Sequence, residues 1–273
     1  MKREYMCSSY TVSGLMPGRE RTSRHPLPAR LAACRAAGYD GLWLHFRDYM
    51  EQRAAGLDDV AIRAMFDEHG MKHRGVEFLS GWFLESVDAH EAEEMCLAAA
   101  MAIGANVISV GGDFERRGIS RNEMVAQFGR LCVRAAEADI SVALEFVPWS
   151  NIPDIATALD YLEPANAGLM VDCWHLFRGG MSAADIARIP AGRVIAVQVN
   201  DANPRVVGSL AQDTLRRKAC GDGAFDLAGF AAALDSVGAV APFSIEIISP
   251  DFVAMDVEDA ARRSLETARA VFG

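Results

Sequence analysis

Cysteine is sparse and unpatterned in this chain: Cys7, Cys34, Cys96, Cys132, Cys173 and Cys220 are scattered, and no two stand in C-x-x-C spacing. With no charged-then-apolar leader ahead of them, the expectation is a reduced, cytoplasmic protein without a disulfide framework. Positive charge is short too. Lys and Arg number 27 against 37 Asp and Glu, a formal charge of −10, and the pI is about 5.1. Such a field repels phosphate backbones and anionic membrane surfaces, so neither nucleic acid nor membrane is expected as a partner. Polar residues break the apolar stretches well before the roughly 20 residues that span a bilayer. No Pro/Ser-rich linker, charge block or low-complexity stretch divides the 273 residues, which reads as one domain over 1–273.

What the chain does contain is an alternation. Short apolar runs begin at Tyr5, Gly41, Gly75, Asn106, Ser141, Gly168, Val194 and Phe243, and most are followed by a longer segment with helical spacing. Asp58 is placed to cap a helix over 59–69. Asp88 is placed to cap one over 89–104 that Gly104 stops. Further helices fit 26–37, 121–138, 152–162, 182–188, 226–237 and 256–271. Eight strand–helix repeats in one chain of this length predict a closed (β/α)₈ TIM barrel, an α/β fold whose buried parallel strands read as continuous apolar runs. An open doubly wound sheet is the competitor, but the first strand-to-helix turn lacks G-x-G-x-x-G.

In a TIM barrel the working residues sit at the C-terminal ends of strands. Four polar residues stand there where apolar strands should have none: Glu145 in SVALEFVPW, Asp172 in GLMVDCWH, Gln198 in VIAVQVND and Glu246 in FSIEII. They fall on strands five to eight. Unpaired burial costs a carboxylate several kcal/mol, and three clustered carboxylates also repel one another. A divalent cation held by three carboxylates and the Gln198 carbonyl meets that need. Hard oxygen donors favour Mg²⁺ or Mn²⁺, and Zn²⁺ stays open. Taken singly, each residue has a structural reading: Glu145 or Glu246 paired with an arginine, Asp172 as a helix cap, Gln198 bonded to backbone. Taken together they favour a metal site.

The set resembles the xylose isomerase-like TIM barrels, the sugar phosphate isomerase/epimerase superfamily, which also includes inosose dehydratases, 3-dehydroshikimate dehydratases and endonuclease IV. The resemblance rests on Glu145, on Asp172 with His175 three residues later, on Gln198 with Asp201, and on Glu246. A further family pattern, R-x-x-P-G-E-G, is matched by RKACGDG over 217–223, with Cys220 in place of proline and Asp222 in place of glutamate. The resemblance implies a divalent metal that chelates a hydroxy-ketone, with Glu145 and Glu246 as the catalytic acid–base pair. It also implies His175 orienting Asp172 or the substrate, and Arg217 binding substrate. An isomerase or epimerase acting through an enediolate is the expected activity. Gln198 stands where many epimerases carry histidine and some 3-dehydroshikimate dehydratases carry glutamine, so a dehydratase (lyase) is the alternative. A non-catalytic polyol-binding member is a third reading.

Glu77 and Trp82, in GVEFLSGW, resemble the family's strand-three end, where Trp82 would wall a sugar pocket or belong to the core. His45 follows strand two and could reach the pocket or be satisfied structurally. His25, His69, His73 and His90 read as surface or loop residues. Arg205, Arg216, Arg217 and Lys218 gather in a long segment after strand seven, which suggests an anionic substrate or a solvated surface. The Gly111-Gly112 pair reads as a turn. Trp149 and Phe252 would suit a pocket rim or a homo-oligomer interface. An endonuclease IV-like role is disfavoured by the net charge and by only six histidines. The expected partner is a small-molecule sugar, keto-polyol or cyclic hydroxy-ketone.

Overall fold

Eight parallel strands close into one barrel in sequence order. They are β1 (Tyr5–Cys7), β2 (Gly41–His45), β3 (His73–Leu79), β4 (Val107–Gly111), β5 (Ser141–Glu145), β6 (Ala167–Asp172), β7 (Val194–Val199) and β8 (Phe243–Ile245), and β8 pairs back onto β1. The computed structural model describes residues 3–19 and 22–273. The (β/α)₈ barrel expected from the alternation is the fold observed.

Local chemistry explains most boundaries. Asp58 caps the helix Asp59–Glu68 by accepting from Ala61 N–H, and Gly104 ends Val87–Ile103 at φ +71, where a side chain would be strained. That second helix is capped by Ser86, which accepts from Ala89 N–H, so Asp88 lies in its first turn instead of capping it. The helix therefore starts two residues earlier than expected. The segment 152–162 is shorter than expected, a single turn Ile155–Ala158 capped by Asp154 and continued by a 3-10 turn, Leu159–Tyr161. The stretch Ala183–Arg188 is likewise 3-10. Among the described residues no helix is long and apolar enough to cross a membrane, and all six cysteines are free and buried.

The core has two parts. The larger lies between strands and helices; the smaller fills the barrel itself with Met6, Trp43, Ala143, Met170 and Ala196. Side chains alternate along a strand, so the residue two positions further on each strand faces the same interior one layer higher. Met6 is followed by Ser8, Ala143 by Glu145, Met170 by Asp172 and Ala196 by Gln198. The apolar plug therefore forms the floor of a polar layer. Trp43 reaches the interior because Gly75 on the neighbouring strand has no Cβ; one added there would stand 2.4 Å from the Trp43 ring.

Candidate active site

The polar layer opens into a cavity of about 200 Å³ at the C-terminal mouth. Glu77, Glu145, His175, Gln198, Arg217 and Glu246 all line it. Asp172 lies just beneath, fully buried at the end of β6. Its Oδ1 accepts from Trp174 N–H at 2.8 Å and from the Asn200 amide at 3.1 Å. Asp172 is thus a helix cap, as its structural reading held, while its second oxygen turns toward the other acids.

That second oxygen meets Arg217. Nη1 of Arg217 lies 2.8 Å from Asp172 Oδ2 and 2.7 Å from Glu246 Oε2, and its Nε and Nη2 each reach Thr214 Oγ1 at 3.2 Å. Only the Glu246 contact has an N–H aimed along it, because Asp172 Oδ2 accepts no hydrogen bond despite the short ion-pair distance. Burial works against the Arg217 charge, but Asp172, Glu246 and Glu145 outweigh it and hold the guanidinium firmly protonated. Glu246 is pushed up to about 7 by burial, which the Arg217 charge only partly offsets and Glu145 and Asp172 reinforce.

The other groups complete the layer. His175 Nε2 lies 3.4 Å from Glu145 Oε1 and 3.6 Å from Asp172 Oδ2. Gln198 donates its amide N–H to Glu246 Oε1 at 3.1 Å, which leaves its carbonyl oxygen buried without a donor. Glu77, 1% exposed, accepts Ser9 N–H at 2.7 Å on Oε1, while its Oε2 has no partner among the described residues. Burial first, then the charge of Glu246, raise the Glu77 carboxyl well above the usual range, more than its bonds to Ser8 and Ser9 lower it.

Three acceptor oxygens, Glu145 Oε1, Asp172 Oδ2 and Gln198 Oε1, are buried with no hydrogen-bond donor among the described residues. Buried acceptors without donors are what a cation satisfies, so the donor set fits a divalent metal. One ligand atom each from Glu145, Asp172 and His175 lie within 4.8 Å of one another. That grouping brings in the imidazole of His175, which the sequence reading placed beside the metal and not on it.

Several expected residues lie elsewhere. Trp82 is core: its Nε1 donates to the Gly111 carbonyl at 2.7 Å and its ring packs on Phe83 and Phe128. The aromatic wall comes instead from Phe78, Phe114 and Trp149, with Tyr10 and Ile248 beside them. Trp149 packs edge-on against His175, with ring centroids 5.4 Å apart, whereas Phe252 is buried. His45 caps the helix Phe46–Ala54 by accepting Arg47 N–H at 3.2 Å. Arg205 and Arg216 are exposed, and Lys218 reaches only the Asp222 carbonyl. Among the described residues Arg217 is the one basic side chain lining the cavity besides His175, so the basic cluster does not form an anion site there.

Asp201 explains the 217–223 pattern. Its carboxylate accepts backbone N–H from Ala202, Gly221, Gly223 and Phe225 at 2.8 to 3.0 Å, which folds the segment carrying Arg217 back over the mouth. A Cβ on Gly223 would stand 2.3 Å from Asp201 Oδ1, so this residue must be glycine. Asp222 turns outward to Arg263. Ser8 and Asn200 were not singled out from the sequence, although each is a polar residue directly after an apolar strand and so carried the signal used for the other four.

A parallel eight-stranded barrel with a buried acid cluster and one guanidinium at its C-terminal mouth defines a class of site suited to small polar ligands. Residues 31–271 match the model of the xylose isomerase-like TIM barrel family, and the chain belongs to that family. It is 24% identical over 232 residues to a 3-dehydroshikimate dehydratase of Pseudomonas aeruginosa, a match covering 83% of this chain and 37% of that protein. It is 25% identical over 133 residues to an inosose isomerase of Halalkalibacterium halodurans, covering 47% of this chain and 46% of that one. The chain thus spans less than half of either relative. A solved structure of the IolI protein with a bound zinc atom superposes with a TM-score of 0.83 at 17% identity, covering 98% of both chains.

Proposed function

We propose that this chain is a divalent-metal-dependent enzyme that removes a proton next to the carbonyl of a keto-polyol or cyclic hydroxy-ketone, as an isomerase or epimerase does. The observation that carries this reading is the set of three buried, donor-less oxygens on Glu145, Asp172 and Gln198, beside two further carboxylates in one cavity. Glu145, Asp172 and Gln198 would hold the ion, with Glu246 or His175 completing the set, and mixed oxygen and imidazole donors suit Mn²⁺ or Zn²⁺ as well as Mg²⁺. Bound there, a divalent cation polarises the carbonyl oxygen and stabilises the charge that develops on it.

The chain's own residues supply the rest. Glu145 and Glu246 are the candidate base and acid, and a carboxyl near 7 such as Glu246 is poised both to take and to return a proton at neutral pH. Arg217 orients oxygens at that edge, while Phe78, Phe114 and Trp149 pack against the substrate's apolar face and exclude water. A dehydratase is the second reading. It is favoured by the longer match to a protein so named, 83% of this chain against 47% for the isomerase, and by Gln198 on β7.

The test is proton exchange in D₂O with inosose or 3-dehydroshikimate and Mn²⁺-loaded protein, followed by NMR. Deuterium entering the carbon next to the carbonyl, lost in Glu145→Gln or Glu246→Gln, supports enolisation, and loss of water in the same spectra selects the dehydratase. No exchange with either ketone under any of Mg²⁺, Mn²⁺ or Zn²⁺ overturns the reading.

A further inference from the structure

Ser8 Oγ lies 2.9 Å from Glu77 Oε1 and 3.0 Å from Glu246 Oε1, and it also accepts Tyr10 N–H at 3.3 Å. A hydroxyl carries one proton, so it donates to one of these carboxyls only. The other short contact needs a proton supplied by the carboxyl itself.

The surroundings decide which carboxyl holds it. Glu246 receives the Gln198 amide and the Arg217 guanidinium, two donors of which one is a full charge. Among the described residues Glu77 receives one backbone N–H, from Ser9, touches no cation, and has an oxygen with no partner. A count of charge agrees. Among the described residues Arg217 is the one guanidinium lining the cavity and it already faces Asp172 and Glu246, so a carboxylate at Glu77 would be buried with no cation beside it. The upward shift of the Glu77 carboxyl points the same way.

We propose that Glu77 is a neutral carboxylic acid in the resting protein and the proton donor to the substrate oxygen, with Ser8 linking it to Glu246. This rests on the enolisation reading and extends it. Glu246 takes the C–H proton as its electron pair moves toward the carbonyl. Glu77 gives its proton either to that carbonyl oxygen, completing an enediol, or to a leaving β-hydroxyl, whose C–O bond breaks with the pair on oxygen to release water. Ser8 then passes a proton to Glu77 while accepting one from Glu246. Both carboxyls return to their starting states.

Infrared difference spectroscopy of the whole protein, with and without Mn²⁺, tests the resting state. Wild type minus Glu77→Gln is expected to show the carbonyl stretch of a protonated carboxylic acid, shifted in D₂O; Ser8→Ala, which keeps Glu77, is expected to displace that band because its hydrogen-bond partner is gone. A wild-type spectrum without such a band, or a band unmoved in Ser8→Ala, overturns the proposal even where Glu77→Gln does not fold. On a ketone that exchanges, Glu77→Gln is expected to keep deuterium uptake yet lose product formation by roughly 10²-fold or more, and equal loss of both would assign Glu77 a binding role alone. The band is read without substrate. Its absence therefore overturns this proposal and leaves enolisation standing, whereas a band with no exchange overturns enolisation and not the protonation of Glu77.

Discussion

Replacing Arg217 by methionine removes the guanidinium while keeping an unbranched chain of similar reach against Trp174. Breaking a buried ion pair from one side costs about 3–5 kcal/mol, because the partner charge is left without compensation. Here two partners are stranded, Asp172 Oδ2 at 2.8 Å and Glu246 Oε2 at 2.7 Å, but each has some relief. Asp172 keeps Trp174 N–H and the Asn200 amide on its other oxygen, and Glu246, already near 7, can take up a proton. The lower end, about 3 kcal/mol, is therefore expected in metal-free protein, a fall in melting temperature of roughly 6–12 °C at the sensitivity of a large domain.

The sign of the pH dependence follows. With the folded Glu246 carboxyl above its ordinary 4.5, the folded chain binds more protons than the unfolded one between about 4.5 and about 7, so stability falls as pH rises through that window. Losing Arg217 raises the folded value further, so the deficit of the variant shrinks at acid pH and widens toward neutrality. A divalent cation at 100 times its Kd stabilises a protein by about 2.7 kcal/mol. The variant should gain more than wild type, since the ion no longer competes with a guanidinium for Asp172 and Glu246. Thermal melts followed by circular dichroism, in chelator and in Mn²⁺ at several pH values, read all three effects. A variant that melts with wild type in chelator at neutral pH, or one that binds Mn²⁺ more weakly than wild type, would refute this account of Arg217.

His45, capping Phe46–Ala54, is held down to about 4 by burial and by the charges of Arg47 and Arg30, against Asp48. Its folded value lies below the unfolded 6.5, so the stability it contributes is present above about 6.5 and is lost as pH falls toward 4. His45→Asn keeps a capping acceptor without the titration and should lose about 2 kcal/mol less than wild type between about pH 7 and about pH 5 in urea melts; parallel losses count against the assignment. Gly223→Ala sets a methyl 2.3 Å from the Asp201 carboxylate. It should cost about 3 kcal/mol or more through clash and broken N–H bonds and should speed amide exchange at Gly221, Gly223 and Phe225. Unchanged exchange at those amides would mean that Asp201 does not fasten the segment.

How much of this could be read from sequence depends on how far each feature travels through space. Strand-borne features were legible. A buried parallel strand announces itself as an apolar run, and its period of two fixes which residue faces the barrel, so Glu145, Asp172 and Gln198 stand in one layer two positions above Ala143, Met170 and Ala196. Helix ends were legible where one residue decides them, as at Asp58 and Gly104, and misread at Asp88, where Ser86 two residues earlier is the cap. The long strand β3 begins at His73, two residues before the apolar run, because its first residues pair with Gly41 and Leu42 whatever their polarity.

Features carried by loops were another matter. Trp82 and Trp149 look alike as isolated aromatics after a strand, and only the path of each loop sends one ring to the core and the other to the cavity. Arg217 could be singled out by its motif, yet its place between Asp172 and Glu246 depends on four N–H groups closing on Asp201 from up to 24 residues away. The link through Ser8 joins residues separated by 69 and by 238 positions. No local pattern encodes such a contact, because it exists only once β1 has closed the barrel between β2 and β8. The acids of this site are thus written in the strands, whereas what sets their protonation is written in barrel closure. A substitution that loosens β1 should therefore alter the proton inventory of the site before it alters which residues stand there.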